Sequence, residues 1–396
     1  MRLSLLEFIN VMEPLKKIRS RLRSWSQVRF KEPIAIFESD DWGLWRSPGD
    51  KTTLESFGEP KIWGYDQLES IDELEAFYRV FEKYTDSEGN RPFAEANFVV
   101  SNPDFNATTT GGYKEIILKP ITQDSERLTK WNEGISRKVF LPQYHGRLHF
   151  NYKKMHEALL NDPLSRKIFE AGIHGGMNNY KDGQWGLHSE YLDWTTGAIP
   201  ENIQQWTLSG LDQFEKAFGY RAKSTVAPQY IFSPEMTGVF SEAGLTCIQG
   251  TNMQLYKTTD GTEYKRNLPN GSHHYKSLVG ISRNVKFEPA RGVEGWDTKA
   301  AIKNAKRLIA SNIPVIIDSH RINYVGRFSV EGLSKLDQFM SELLKTGVRF
   351  VASFELAEAI SNNGKYTEFW SGKTKQLHSI GESNIKKWIR DRVVTA

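Results

Sequence analysis

Seven short apolar runs recur along the chain, each continuous rather than alternating: Ile34 to Phe37, Ala96 to Val100, Val139 to Leu141, Thr225 to Ala227, Thr246 to Ile248, Val315 to Ile317 and Phe350 to Ala352. Such runs suit strands buried on both faces, the condition of a parallel sheet. Helical patterns with defined ends lie between them. Ser70 and Glu73 form a capping box ahead of a helix through Lys83, and Ser233, Pro234 and Gly244 fit the N-cap, first position and C-terminal turn of another. Asp297 is placed to cap a helix through Ala310, and Val330 to Lys345 gives a further one. Alternating strands and helices predict an α/β fold. About seven parallel strands point to a distorted or incomplete (β/α) barrel rather than an open doubly wound sheet, and in a barrel the residues just past each strand converge on one mouth.

Lysines and arginines number 52 against 48 acids, so no overall field marks a nucleic-acid binder and a near-neutral partner is expected. Cys247 is the single cysteine, which excludes an internal disulfide and a paired-thiolate zinc site and leaves His and carboxylates as metal ligands. Met1 to Trp25 is a poor signal peptide because Glu7 and Asn10 break its apolar run. No stretch approaches the roughly 20 apolar residues that span a bilayer, and a cytoplasmic location is expected. Lys16, Lys17, Arg19, Arg21 and Arg23 beside Leu15, Ile18, Leu22 and Trp25 make a basic amphipathic segment able to associate with a membrane surface; a solvated helix packed on the domain is the plainer reading. With no repeat or linker to divide the chain, residues 1–28 are read as this segment, 29–362 as one catalytic domain and 363–396 as a C-terminal tail.

Three strand ends carry chemistry. The first delivers Glu38-Ser39-Asp40-Asp41-Trp42-Gly43, where neighbouring carboxylates point different ways and one can bind a cation while the other stays a base. Alone, an Asp pair ahead of a glycine reads as a turn or helix cap. The third delivers Tyr144-His145-Gly146-Arg147-Leu148-His149; on a helical turn, imidazoles four apart share a face and reach one ion. The last strongly apolar run delivers Asp318-Ser319-His320, a histidine able to protonate a leaving group near neutrality, or simply to close a strand with a hydrogen bond. The conjunction of the three outweighs the plain reading of each.

The order of Asp-Asp, His-x-x-x-His, a Pro-Tyr region at Pro228 and Tyr230, and a late strand-end His resembles the polysaccharide deacetylase family, also called NodB-homology or carbohydrate esterase family 4, from about Ile34 to about Ala357. The resemblance implies a distorted barrel that removes acyl groups from N-acetylated sugars with a divalent metal. By motif position Asp40 matches the catalytic base, Asp41, His145 and His149 the metal ligands, and His320 the catalytic acid. Several departures mark a divergent branch. Trp42 follows the Asp pair where the family has Gly, Gly146 replaces a hydroxyl residue, Val226 replaces the Arg two places before Pro228, and Asp318 replaces a Leu. Arg147 or Arg221 is then expected to orient the base.

Three protein ligands leave coordination positions open, as in a catalytic rather than a structural site. Zinc is the default for His and carboxylate, and cobalt, nickel or iron suit the same set. In the expected mechanism Asp40 deprotonates a metal-activated water, a backbone N–H near Tyr230 helps hold the oxyanion, and His320, its pKa raised by Asp318, protonates the departing amine. Among Trp42, Trp45, Trp185, Trp194 and Trp296, Trp42 is the expected platform for a sugar ring by adjacency. His188 and the pair His273 and His274 are expected to be surface or packing residues, and His174-Gly175-Gly176 a turn. The expected partner is a carbohydrate carrying N-acetyl or O-acetyl groups. Two rivals are a metal-dependent amidohydrolase acting on a small amide and a non-catalytic carbohydrate-binding protein on the same scaffold.

Overall fold

The computed structural model describes residues 27–58, 60–175, 201–251, 253–257, 263–267, 269–276 and 278–380. The basic N-terminal segment through residue 26, Trp185, His188, Trp194 and the chain from residue 381 lie outside the described residues.

Ten strands form one sheet: β1 (Ile34–Trp42), β2 (Ala94–Val99), β3 (Phe140–Gly146), β4 (Ser224–Thr225), β5 (Cys247–Gly250), β6 (Ser272–Tyr275), β7 (Leu278–Ser282), β8 (Val285–Lys286), β9 (Val315–His320) and β10 (Arg349–Phe350). Their order is β6-β7-β5-β4-β3-β2-β1-β9-β8, with β10 paired to the start of β1. Every pairing is parallel except the edge hairpin β6–β7. The two ends of this order are not paired, and the sheet is an open half-barrel with helices around it. Each of the seven expected runs overlaps a strand, although Thr225 to Ala227 and Phe350 to Ala352 do so at one residue each, because those strands end at Thr225 and Phe350. The hairpin and β8 raise the count; β8 is too short to leave a pattern, and Gly280 interrupts the apolar run of β7.

The helices that matter here are α1 (Ile71–Glu82), α2 (Ser125–Ser136), α3 (Glu201–Phe218), α4 (Thr298–Ala310), α5 (Ser329–Leu344) and α6 (Ser353–Ser361). The capping box of α1 forms as expected, with Ser70 and Glu73 bonded reciprocally, and Asp297 caps α4 through Ala300 N–H. The helix expected from Ser233 starts later, at Met236, because the Met236 and Thr237 N–H groups close tighter turns onto the Ser233 and Pro234 carbonyls. Around β1, alternate side chains part. Phe37 meets Phe81 of α1 with ring centroids 5.5 Å apart, whereas Glu38 and Asp40 turn into the barrel.

The segment expected as a C-terminal tail belongs to the body through residue 380. Lys365–Thr367 pairs with Thr374–Gln376, Ser379 bridges to Phe30, and Tyr366 and Leu377 are buried, so their apolar area fastens the segment to the domain. Among the described residues no helix is long and apolar enough to cross a membrane.

Candidate metal centre at the barrel mouth

The pairing of β1 with β2 shifts register between Ser39 and Trp42, and within this bulge Asp41 has φ +73°. An L-residue held in the left-handed region costs of order 1–3 kcal/mol, and such strain concentrates at functional sites. The kink sends Asp40 into the barrel and Asp41 toward the loop after β3. His145 lies at the end of β3. Gly146, at φ +124°, adopts a conformation that favours glycine and bends the chain so that His149 returns to the same point. The histidine pair is thus built from a strand end and a bend, not from the single helical turn that the spacing suggested.

Asp41 Oδ1 lies 3.3 Å from His145 Nε2 and 3.2 Å from His149 Nε2, and all three residues are buried. His145 Nδ1 is 2.8 Å from the Val226 carbonyl, which can only accept, so Nδ1 carries a proton and Nε2 is the nitrogen left to face Asp41 as a ligand atom. Asp41 Oδ1 receives no hydrogen bond. Lone pairs turned on one another at this spacing are repulsive unless a cation lies between them, and the separations match neighbouring ligands that each bond a tetrahedral ion at roughly 2.0–2.2 Å. The residues therefore fit a divalent metal. Burial, which penalises charge, lowers the pKa of His149 to about 4 against the pull of Asp41, keeping the imidazole neutral, the form in which it can bind a metal. Burial pushes Asp41 the other way, but Arg46, with Nη2 3.1 Å from Oδ2, and the imidazoles hold it well below the usual carboxylate range.

Asp40 is clamped by Arg283, the residue following β7: Nη1 lies 2.6 Å from Oδ2 and Nη2 2.7 Å from Oδ1, while Asn97 Nδ2 donates to Oδ1 at 2.8 Å. Burial opposes the charge, yet this bidentate guanidinium holds the carboxyl far below its ordinary value. Asp40 is therefore oriented by Arg283, not by Arg147 or Arg221 as expected. Arg147 stacks over Trp206 at 5.1 Å, and Arg221 pairs with Asp212 and Glu215 on the outside. The missed signal was β7 itself, whose end is Ser282-Arg283.

His320 ends β9 with Nε2 3.8 Å from Asp40 Oδ2, and its Nδ1 is hydrogen-bonded to the buried carboxylate of Glu288. Burial disfavours the imidazolium, but Glu288 outweighs it and the pKa rises to about 9. The dominant carboxylate is thus Glu288 rather than Asp318, whose oxygens are occupied by Lys286, Arg283 and the Tyr230 hydroxyl. Tyr230 also donates its backbone N–H to Ala227 O at 2.8 Å, so that group is not an oxyanion donor.

Trp42 is 1% exposed, packed against Phe77 and Phe140 with its indole N–H on Ser39 Oγ, and is core rather than a sugar platform. Its place at the mouth is taken by Trp63, whose ring stands edge-on to His320 with centroids 5.1 Å apart. Trp45 and Asn102 brace the loop after β1: Asn102 accepts from Trp45 N–H at 2.7 Å and donates to Gly43 O at 2.8 Å. Asp40, Asp41, His145, His149 and His320 line one cavity of about 370 Å³, together with Arg46, Lys61, Trp63, Tyr230, Lys286 and Arg291.

No family model and no curated protein matches the chain. Among solved structures it is similar to a putative polysaccharide deacetylase from Mycobacterium smegmatis, at 10% identity and TM-score 0.40 over 84% of this chain and 91% of that one. It is also similar to a 4-alpha-glucanotransferase from Thermococcus litoralis, at 10% identity and TM-score 0.40 over 84% of this chain, and to a CE4 family pseudoenzyme from Bacillus anthracis, at 8% identity and TM-score 0.37 over 83%. The chain spans 40% of the glucanotransferase and 66% of the pseudoenzyme.

Proposed function

We propose that this protein is a metal-dependent hydrolase that removes N-acetyl groups from an amino-sugar-containing glycan or glycan precursor. One observation carries the reading: the Asp41, His145 and His149 ligand atoms converge with an Asp41 oxygen left without a hydrogen bond, between an oriented carboxylate and a paired histidine. A divalent cation held there supplies a Lewis acid for an amide carbonyl and for water, and zinc is the default.

The remaining chemistry belongs to the chain. Asp40 accepts the proton of the attacking water at Oδ2, the oxygen nearer His320, while Arg283 and Asn97 fix its plane. Arg283 also keeps Asp40 ionised. His320 carries the opposite charge state: Glu288 holds Nδ1–H and leaves Nε2–H to protonate the departing amine. An acid held ionised up to about pH 9 suits an amine leaving group and favours amide over ester cleavage.

The test is metal content by mass spectrometry in gently purified wild type and in His149→Ala, followed by acetate release from N-acetylated chito-oligomers with Asp40→Asn as control. Near-stoichiometric metal lost in His149→Ala, with acetate release abolished in Asp40→Asn, is expected. A wild type that binds no divalent metal supplied in excess overturns the mechanism and leaves a binding protein.

A further inference from the structure

The rim of this cavity is cationic in a way the hydrolytic chemistry does not use. Lys286 is tied to Asp318, and Arg46 to Asp41 and Asp66. Lys61 and Arg291 line the same cavity and, among the described residues, have no carboxylate within ion-pairing distance. Arg291 is also preorganised. Its guanidinium lies 5.1 Å from the Trp63 ring and 4.6 Å from the Trp296 ring. Held by two indoles rather than by a carboxylate, the guanidinium keeps a planar fork of N–H donors suited to a two-oxygen anion. Trp63 in turn touches His320, so this fork stands one ring away from the acid. Of the four Lys and Arg side chains that line the cavity, Arg46 and Lys286 are therefore balanced by carboxylates, and Lys61 and Arg291 are the two that are not.

We infer that the substrate is an anionic amino sugar, carrying a phosphoryl or carboxylate group that Arg291 and Lys61 bind while the N-acyl group faces His320 and Asp40. This rests on the hydrolase reading above and goes beyond it by naming the substrate class. A neutral glycan would leave two cations without an anionic partner to be desolvated at the mouth, a penalty that an oxyanion removes.

The experiment has two readouts. The first compares deacetylation of an N-acetylhexosamine 1-phosphate, an N-acetylhexosaminuronic acid and a neutral N-acetylhexosamine oligomer by wild type, Arg291→Gln and Lys61→Gln. The expected result is a kcat/KM at least about tenfold higher for one or both anionic sugars, reduced roughly tenfold by each substitution, as for loss of one charge-assisted hydrogen-bonded contact. Whichever of the two anions is preferred identifies the group. The second readout needs no turnover: titration calorimetry of inorganic phosphate and of the same sugars into the metal-loaded proteins. Tighter binding of the anionic sugars, weakened in Arg291→Gln at unchanged metal content, supports the inference even if no sugar is deacetylated, a case in which the hydrolase reading fails alone. A neutral oligomer bound and cleaved as well as the anionic sugars, or an anion preference untouched in both variants, overturns it.

Discussion

Glu288→Gln isolates the device that keeps His320 charged. The substitution preserves shape and can still accept from Nδ1–H, but it removes the negative charge that is the leading cause opposing burial. In the native protein the imidazolium survives to about pH 9; without Glu288 the pKa returns to the ordinary 6.5 or below, because burial then acts against charge with only the more distant Asp40 and Asp41 to counter it. With a variant pKa of 6.5, the protonated fraction at pH 8 falls from roughly nine-tenths to a few per cent, so a reaction that needs the acid slows about thirtyfold, while at pH 6 it slows by less than about twofold. The assay is a pH profile of kcat/KM, and the alkaline limb is expected to move from near 9 to near 6.5 in the variant. A variant whose alkaline limb stays near 9 refutes the pairing as the source of the raised pKa.

The same pair makes a stability prediction whose sign is fixed by linkage. A group whose folded pKa is raised stabilises the fold fully below its unfolded pKa and loses that contribution as pH rises through the folded value. The window for His320 is therefore pH 6.5 to about 9, and the shift corresponds to about 3 kcal/mol at most. Chemical denaturation of the metal-free protein at pH 6 and pH 9 reads it directly, and the difference should shrink in Glu288→Gln.

Three other outcomes follow from the geometry. His149 titrates in the opposite sense: with a folded pKa of about 4, metal-free protein should lose up to about 3 kcal/mol as pH falls from 6.5 toward 4, and His149→Gln should flatten that limb in urea denaturation. Arg283→Lys should reduce kcat by about a hundredfold or more while metal content stays near wild type, since a single ammonium cannot hold both oxygens of Asp40; simultaneous loss of metal would contradict the division of roles. Trp42→Ala should lower stability by about 3–5 kcal/mol as a core cavity, whereas a sugar platform would instead raise KM with little change in denaturation midpoint.

Much of this site was written into the sequence, and what was hidden has a common cause. Asp40, Asp41, His145, His149 and His320 follow apolar runs, so strand ends marked them, and their convergence needed only the rule that parallel strands end at one mouth. The supporting residues carry no such mark. Glu288 and Arg291 belong to a short turn after a two-residue strand, and Arg283 follows a strand whose glycine hid it. Trp42 was misassigned for a different reason: adjacency along the chain does not fix direction, and the bulge at Asp41 separates its neighbours' side chains. Glu38 and Asp318 point into the barrel, where a hydrophobic pattern expects apolar residues, so the observed ends of β1 and β9 outrun the apolar runs that announced them.

The polar interior also explains how an unclosed sheet keeps its site in shape. Between β7 and β1 lie four strands, and at about 4.8 Å per spacing a flat sheet would place them roughly 24 Å apart, beyond the reach of one arginine. Arg283 nevertheless bonds Glu38 and Asp40 of β1 and Asp318 of β9, so the sheet curls until its far side meets the strand that carries Asp40. One buried cation facing three carboxylates is costly to disrupt, because each carboxylate loses a partner without regaining water. Asp41 is fastened separately: it is held by Arg46, Arg46 by Asp66, and Asp66 by Arg321, which also bonds Glu69. Two separate arginine networks, one on Asp40 and one on Asp41, hold adjacent residues of a strained bulge in different places, and under the proposed function this separation predicts that metal binding and proton transfer fail separately under substitution.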